Sequence, residues 1–290
     1  MDFQHDLAEI LKQQLIIGGI EIPDDWSDRD ICLNYLEIKN RWFDSSVSYK
    51  VVYSKQLLKK IPTLSIEEQT ALVDIEKCLE ECITLKTYMS KLIQTTDMKK
   101  SDFLLKNWGI YHLHLEKLST LKTNFKMPNL LFFQPMGRVI HFIDVKTHPK
   151  GATWFDRDLL ETIYSNWPWL LNFLNEVKPL QDIPDNKVHN FTKHMGTIIQ
   201  FHGGALVPTN FGVATSGNSV KAVMECNRIL NELRKCEMRL KEQEAFIKKE
   251  ITEEVRANVT DSLDYNLLIE DGWFVACEKS LGVKIKLFNL

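Results

Sequence analysis

Apolar positions in the first third of the chain recur at helical spacing. Phe3, Leu7, Ile10, Leu11 and Leu15 fall at i, i+3 and i+4 intervals, predicting an amphipathic helix over 3–16 that stops at Gly18–Gly19. Residues 24–43 fit either period, because Ile31, Leu33, Tyr35 and Ile38 satisfy both. Residues 66–94 read as two helices, carried by Leu72, Ile75, Leu79 and Ile83, then Tyr88 and Leu92.

The period changes at Trp108. Ile110–Leu115 alternates, Leu130–Gln134 is a short apolar run, and Arg138–His148 is a long β-branched and aromatic run with Pro135–Gly137 as the turn before it, predicting an antiparallel meander. Helical spacing returns over 157–175, where Pro168 is expected to break the helix. Residues 178–217, broken by Pro179, Pro184, Gly203–Gly204 and Pro208, read as irregular structure around a strand at Thr197–His202. The longest helix is expected over 218–254, followed by strands near 266–269, 273–277 and 283–288, with Asp271–Gly272 as a hairpin turn. Helices before and after a meander predict an α+β fold: a helical N-terminal part (1–98), a core with the candidate site (99–177), an irregular connection (178–217), and a long helix with a terminal β-hairpin (218–290).

Composition adds limits. The 290 residues are 44% hydrophobic and 26% charged, values of an ordinary globular chain that argue against a disordered or fibrous one. The N-terminus lacks the basic and apolar regions of a secretory signal, and no apolar run approaches the roughly 20 residues of a membrane helix. A cytoplasmic location without membrane attachment is therefore expected. The six cysteines, at 32, 78, 82, 226, 236 and 277, form no CxxC pair and are expected to be reduced packing residues.

A net charge of −3 speaks against nucleic-acid binding by global charge. The distribution changes that picture. Between Lys86 and Lys150 there are eleven basic and four acidic side chains, a local +7 that leaves −10 elsewhere, and four of the eight histidines lie there too. This basic region is the part of the chain suited to RNA. The long 218–254 helix offers a second kind of partner surface, for a homodimer or another protein.

Strand alternation places Ile110, His112, His114 and Glu116 on one face, with Tyr111, Leu113 and Leu115 on the other. In the following long strand Arg138, Ile140, Phe142, Asp144, Lys146 and His148 share a face, and His141 sits with Val139, Ile143 and Val145 as a hydrogen-bonded core residue. One exposed sheet face is thus expected to collect the candidate catalytic residues His112, His114, Arg138, Asp144, Lys146 and His148. Two chemistries fit. In metal-independent RNA cleavage, histidines move the protons and Arg138 and Lys146 stabilise the phosphorane, with no cofactor. Alternatively, His112-x-His114 with Asp144 or Glu116 would hold Zn²⁺, Mn²⁺ or Fe²⁺. No P-loop, GxGxxG, GxSxG or HExxH pattern occurs.

The run from Ile75 to Ser90, followed by Asp102-Phe-Leu-Leu-Lys-Asn-Trp-Gly-Ile-Tyr-His-Leu-His-Leu115, resembles a group of bacterial proteins sharing a D-x-L-L-x-x-W-G-I-x-H-x-H-L segment. Leu131–Phe132, Asp144–His148 and Asn166–Pro168 continue that resemblance, which implies no particular activity. A second resemblance, in element order and residue type, is to RelE-like toxin ribonucleases, and implies an RNA-cleaving toxin or phage-defence effector.

Overall fold

The computed structural model describes residues 1–41, 47–89, 102–115, 129–147, 156–177, 198–210, 212–255 and 262–289. In chain order the helices and strands are α1 (Phe3–Ile17), α2 (Asp28–Arg41), β1 (Lys50–Tyr53), α3 (Lys55–Lys60), α4 (Ile66–Glu80), α5 (Phe103–Trp108), β2 (Tyr111–His114), β3 (Asn129–Met136), β4 (Val139–Thr147), α6 (Arg157–Asn166), β5 (Asn172–Leu174), β6 (Ile199–Phe201), β7 (Gly204–Val207), α7 (Val220–Glu242), α8 (Glu244–Val255), β8 (Tyr265–Glu270), β9 (Trp273–Glu278) and β10 (Lys284–Asn289). The fold is α+β. No helix among the described residues is long and apolar enough to cross a membrane.

The chain divides into two compact units, Ile38–Lys221 and a second made of Met1–Glu37 with Ala222–Leu290. In the first, β2, β3 and β4 form the expected antiparallel meander, and β1 adds a fourth strand parallel to β4 in the order β1-β4-β3-β2. That fourth strand, Lys-Val-Val-Tyr, is too short to register in the apolar pattern. The meander's turn is Gly137–Arg138, with Pro135 inside β3 opposite Ile140, so the turn falls later than Pro135–Gly137. Residues 86–88 form a 3-10 turn in place of the expected second helix after α4; residues 90–94 lie outside the described part.

Both faces of this sheet are covered. Against one, α3 and α4 bury Leu57, Leu72, Ile75 and Leu79 on Leu113, Leu131, Phe133, Ile140, Phe142 and Val145. Against the other, α5, α6 and a small β5-β7-β6 sheet bury Leu104, Trp108, Leu159, Leu160, Ile163, Phe201 and Leu206 on Ile110, Leu130, Phe132 and Ile143. Each such side chain contributes roughly 1.5–3 kcal/mol on leaving water. Local chemistry sets the helix starts: Ser65 and Glu68 close a capping box on α4, and Ser54, Asp102 and Asp156 cap α3, α5 and α6. α6 stops at Asn166, and Pro168 opens a 3-10 turn, as its position in the sequence predicts.

In the second unit β8, β9 and β10 form an antiparallel sheet, with Asp271 and Gly272 at φ +50° and +77° in the β8–β9 turn. The single helix expected over 218–254 is two, α7 and α8, separated at Gln243.

Candidate acid–base site

The site begins with a cap. Asp102 precedes α5, and its side chain accepts the Leu105 backbone N–H at 3.1 Å. α5 lasts six residues before Gly109, at φ +65°, turns the chain left-handed and delivers it directly into β2. This helix-to-strand reversal lays the start of α5 beside β2. Asp102 Oδ2 thereby comes within 3.0 Å of His112 Nδ1, with side chains 22% and 17% exposed. Burial alone would raise the Asp102 carboxyl pKa; the His112 ring and the Leu105 and Leu104 backbone N–H groups outweigh it and hold the group below its ordinary range. The same charge, after burial, helps push the neighbouring Tyr111 phenol up to about 12. Its hydroxyl donates to the Asn40 carbonyl at 3.0 Å.

His114 follows His112 on the same face of the edge strand β2, with ring centroids 6.2 Å apart at 69°. His112 also lies 6.1 Å from the Phe132 ring. The pair is half-buried rather than presented on an open face, because α5, α6 and the small sheet cover that side of the meander.

The expected single catalytic face does not form, and the reason is a register shift. Pairing runs Phe132↔Asp144 but Phe133↔Phe142, so β4 carries one extra residue at Ile143. Before the bulge, Ile140 and Phe142 pack towards α4; after it, Val145 packs there and Asp144 and Lys146 turn towards the histidines' face. Arg138 is therefore parted from Asp144 and Lys146. It lies in the β3–β4 turn, about 20 Å along the strand from Asp144.

The shift aligns His112–Phe132–Asp144 and His114–Leu130–Lys146 across three strands. Apolar Phe132 and Leu130 thus separate each histidine from its charged counterpart by two strand spacings, about 10 Å. Asp144 is engaged elsewhere, accepting Lys60 Nζ at 2.8 and 3.0 Å and the Val145 N–H at 2.8 Å. Lys146 Nζ is likewise held, at 2.7 Å from both Asp156 carboxylate oxygens and 3.2 Å from Asp158. Both residues read as structural ion pairs. His148 and Glu116 lie outside the described residues, as do Lys91, Lys99, Lys100, Lys117, Lys122, Lys126 and Lys150 of the basic region. Its described Lys106 is buried and donates to the Gly217 carbonyl at 2.8 Å.

Among the described residues no group of three His, Cys, Asp or Glu side chains is placed to hold a metal ion. Asp144 in particular is committed to Lys60. His141 is buried, with Nδ1 3.2 Å from the Gln134 carbonyl and its ring edge-on to Trp167 at 4.8 Å, the core role its alternation predicts.

The residue missed from sequence is Asp102. Its signal was local: an acid at the N-cap of a short apolar helix that a glycine folds straight back into a histidine-bearing strand. Searches of protein-family models, curated proteins and solved structures each return no match to this chain.

Proposed function

We propose that Asp102, His112 and His114 form a proton-transfer site for metal-independent cleavage of RNA. The observation that carries this reading is the 3.0 Å approach of Asp102 to His112 Nδ1, with a second imidazole on the same face. A carboxylate on Nδ1 favours the tautomer whose Nε2 is the basic nitrogen and stabilises the imidazolium that forms when it takes a proton.

In the proposed reaction His112 removes the 2′-hydroxyl proton and the 2′-oxygen attacks phosphorus. The bond to the 5′-oxygen breaks, and protonated His114 supplies that oxygen with its proton. The products are a 2′,3′-cyclic phosphate and a free 5′-hydroxyl. Asp102 acts as the positioning residue. Lys146 and Asp144 have no part, since each is spent in its own ion pair.

The test is cleavage of a fluorogenic single-stranded RNA by the purified chain in excess chelator. Cleavage that persists in chelator, and falls by about 10²–10⁴ in both His112→Ala and His114→Ala, supports the reading. Full cleavage by the double variant, or none by the wild-type chain across a panel of RNAs, overturns it.

A further inference from the structure

Of the two tryptophans in Asn166-Trp167-Pro168-Trp169, the core uses the first. Trp167 is buried, its ring edge-on to His141 at 4.8 Å. Trp169 is 63% exposed, although the turn that carries it is firmly held. Leu170 and Leu171 after it are buried, the Leu170 N–H donates to the Trp167 carbonyl at 2.9 Å, and the Leu170 carbonyl accepts Gln134 Nε2 at 3.4 Å. An indole left in water on a fixed turn is a preformed anchor, because little conformational freedom is lost when a ligand packs on it.

α6 starts where Asp156 and Asp158 meet Lys146 and ends where Trp167 meets His141, so it runs along β4 and delivers Trp169 towards the β3–β4 turn. Past the Gln134–His141 pair, the next pair on the same face is Met136–Val139, about 7 Å along, with Met136 51% exposed. Arg138 lies in the turn itself, and its carbonyl accepts the Lys50 N–H at 2.9 Å, which seats a second cation beside it. Both cationic side chains are exposed, and neither has an ion-pair partner among the described residues. The unit that holds them, Ile38–Lys221, carries 23 basic and 17 acidic side chains, so its net charge of +6 favours an anionic ligand at this corner.

Taking RNA as the substrate of His112 and His114, we propose that Trp169, Met136, Arg138 and Lys50 form a subsite for the single strand. One base stacks on the Trp169 indole, and the adjoining phosphates meet Arg138 and Lys50. His112 pairs with Phe132 on this same sheet face, four residues before Met136 on β3, which sets the two places about 13 Å apart. A strand of a few nucleotides spans that distance, so the subsite holds RNA without touching the reacting phosphate. Arg138, parted from Asp144 and Lys146 by the β4 bulge, thus acts in binding.

The experiment measures, by fluorescence anisotropy, binding of the full chain to a labelled 2′-O-methyl RNA of about 12 nucleotides. That oligonucleotide lacks the attacking 2′-hydroxyl, so affinity is read without cleavage. Trp169→Ala is expected to raise Kd roughly 5- to 150-fold, and Trp169→Phe, which keeps a ring, to retain most of the affinity. Arg138→Gln and Lys50→Gln should each flatten the slope of log Kd against log salt by about 0.7, the loss of one phosphate contact on a single strand. Phe246→Ala removes an aromatic side chain of equal exposure, 63%, from the other unit and should leave Kd unchanged. Unchanged affinity in Trp169→Ala, an equal loss in Phe246→Ala, or no binding by the wild-type chain would overturn the subsite. Cleavage of unmodified RNA is scored separately, so a chain that binds through Trp169 yet cleaves nothing keeps the subsite and loses only the proposed reaction.

Discussion

Ser54 Oγ donates to the backbone carbonyl of Ile143 at 2.6 Å, across 89 residues of sequence. The same oxygen accepts the Leu57 N–H at 2.9 Å to cap α3, and the Ser54 N–H donates to the Phe142 carbonyl at 3.0 Å. One fully buried serine therefore holds the end of β1, the start of α3 and the bulge in β4. Ser54→Ala removes a helix cap and leaves a buried carbonyl without its donor, an expected loss of about 2–3 kcal/mol in urea unfolding. A loss below about 0.5 kcal/mol would show that the bulge is held by other means.

His141 makes stability depend on mild acid. Burial lowers its pKa below the ordinary 6.5, against a smaller opposing effect of the Gln134 carbonyl. The unfolded chain therefore takes up this proton first as pH falls. Stability is complete above about 6.5 and declines below it, at no more than about 1.4 kcal/mol per pH unit. His141→Asn should be less stable at pH 7.5 yet show a shallower decline between pH 6.5 and 5.5; parallel declines would remove His141 as the cause.

Asp102 acts in a different window. Its carboxyl is held below 3.8, so the stability it contributes is present above that pH and lost as pH falls through the lowered value. Asp102→Asn should cost about 1–3 kcal/mol at pH 7 and flatten the acid limb below 3.8. In the RNA assay it should slow cleavage while leaving His112 in place, and reduce the pH dependence more than the substrate KM. A variant with unchanged acid limb and unchanged pH profile would make the 3.0 Å contact incidental.

Glu278 provides the corresponding test in the other unit. It is 2% exposed, and Oε2 accepts the Ser280 N–H at 2.8 Å, the Leu281 N–H at 2.7 Å and the Ser280 hydroxyl at 2.8 Å. Burial would raise this carboxyl; those donors hold it down instead. Glu278→Gln places an amide where three donors converge and is expected to cost about 1–3 kcal/mol by urea titration. The β9–β10 turn should lose hydrogen-exchange protection in the same variant, and unchanged protection would mean that the turn does not depend on the carboxylate.

Much of this fold was legible because its causes are local. The meander, the Asp271–Gly272 turn, the stop before Pro168 and the buried role of His141 follow from alternation, turn chemistry and proline sterics. What was not legible depends on distant partners. Nothing in the β-branched run around Ile143 marks a bulge, since the serine that clamps it lies in another segment. Strict alternation therefore grouped Arg138 with Asp144 and Lys146, which the bulge sets apart from it. β1 was invisible because four residues carry little pattern and their partner is remote in sequence. The +7 balance counted charges without their neighbours, and Lys146 proved to have two aspartates of its own.

The division of the chain also has a consequence in time. α1 buries Phe3, Leu7, Leu11 and Leu15 within a unit whose other half begins at Ala222. At synthesis rates of about 5–20 residues per second, those apolar side chains emerge roughly 10–40 seconds before the residues that complete their unit. The intervening Ile38–Lys221 segment has its own sheet and two apolar layers, so it can fold during that interval. During synthesis, the early helix is a waiting half-core, and the protein's exposure to mispairing and to chaperones is set by the length of that inserted unit.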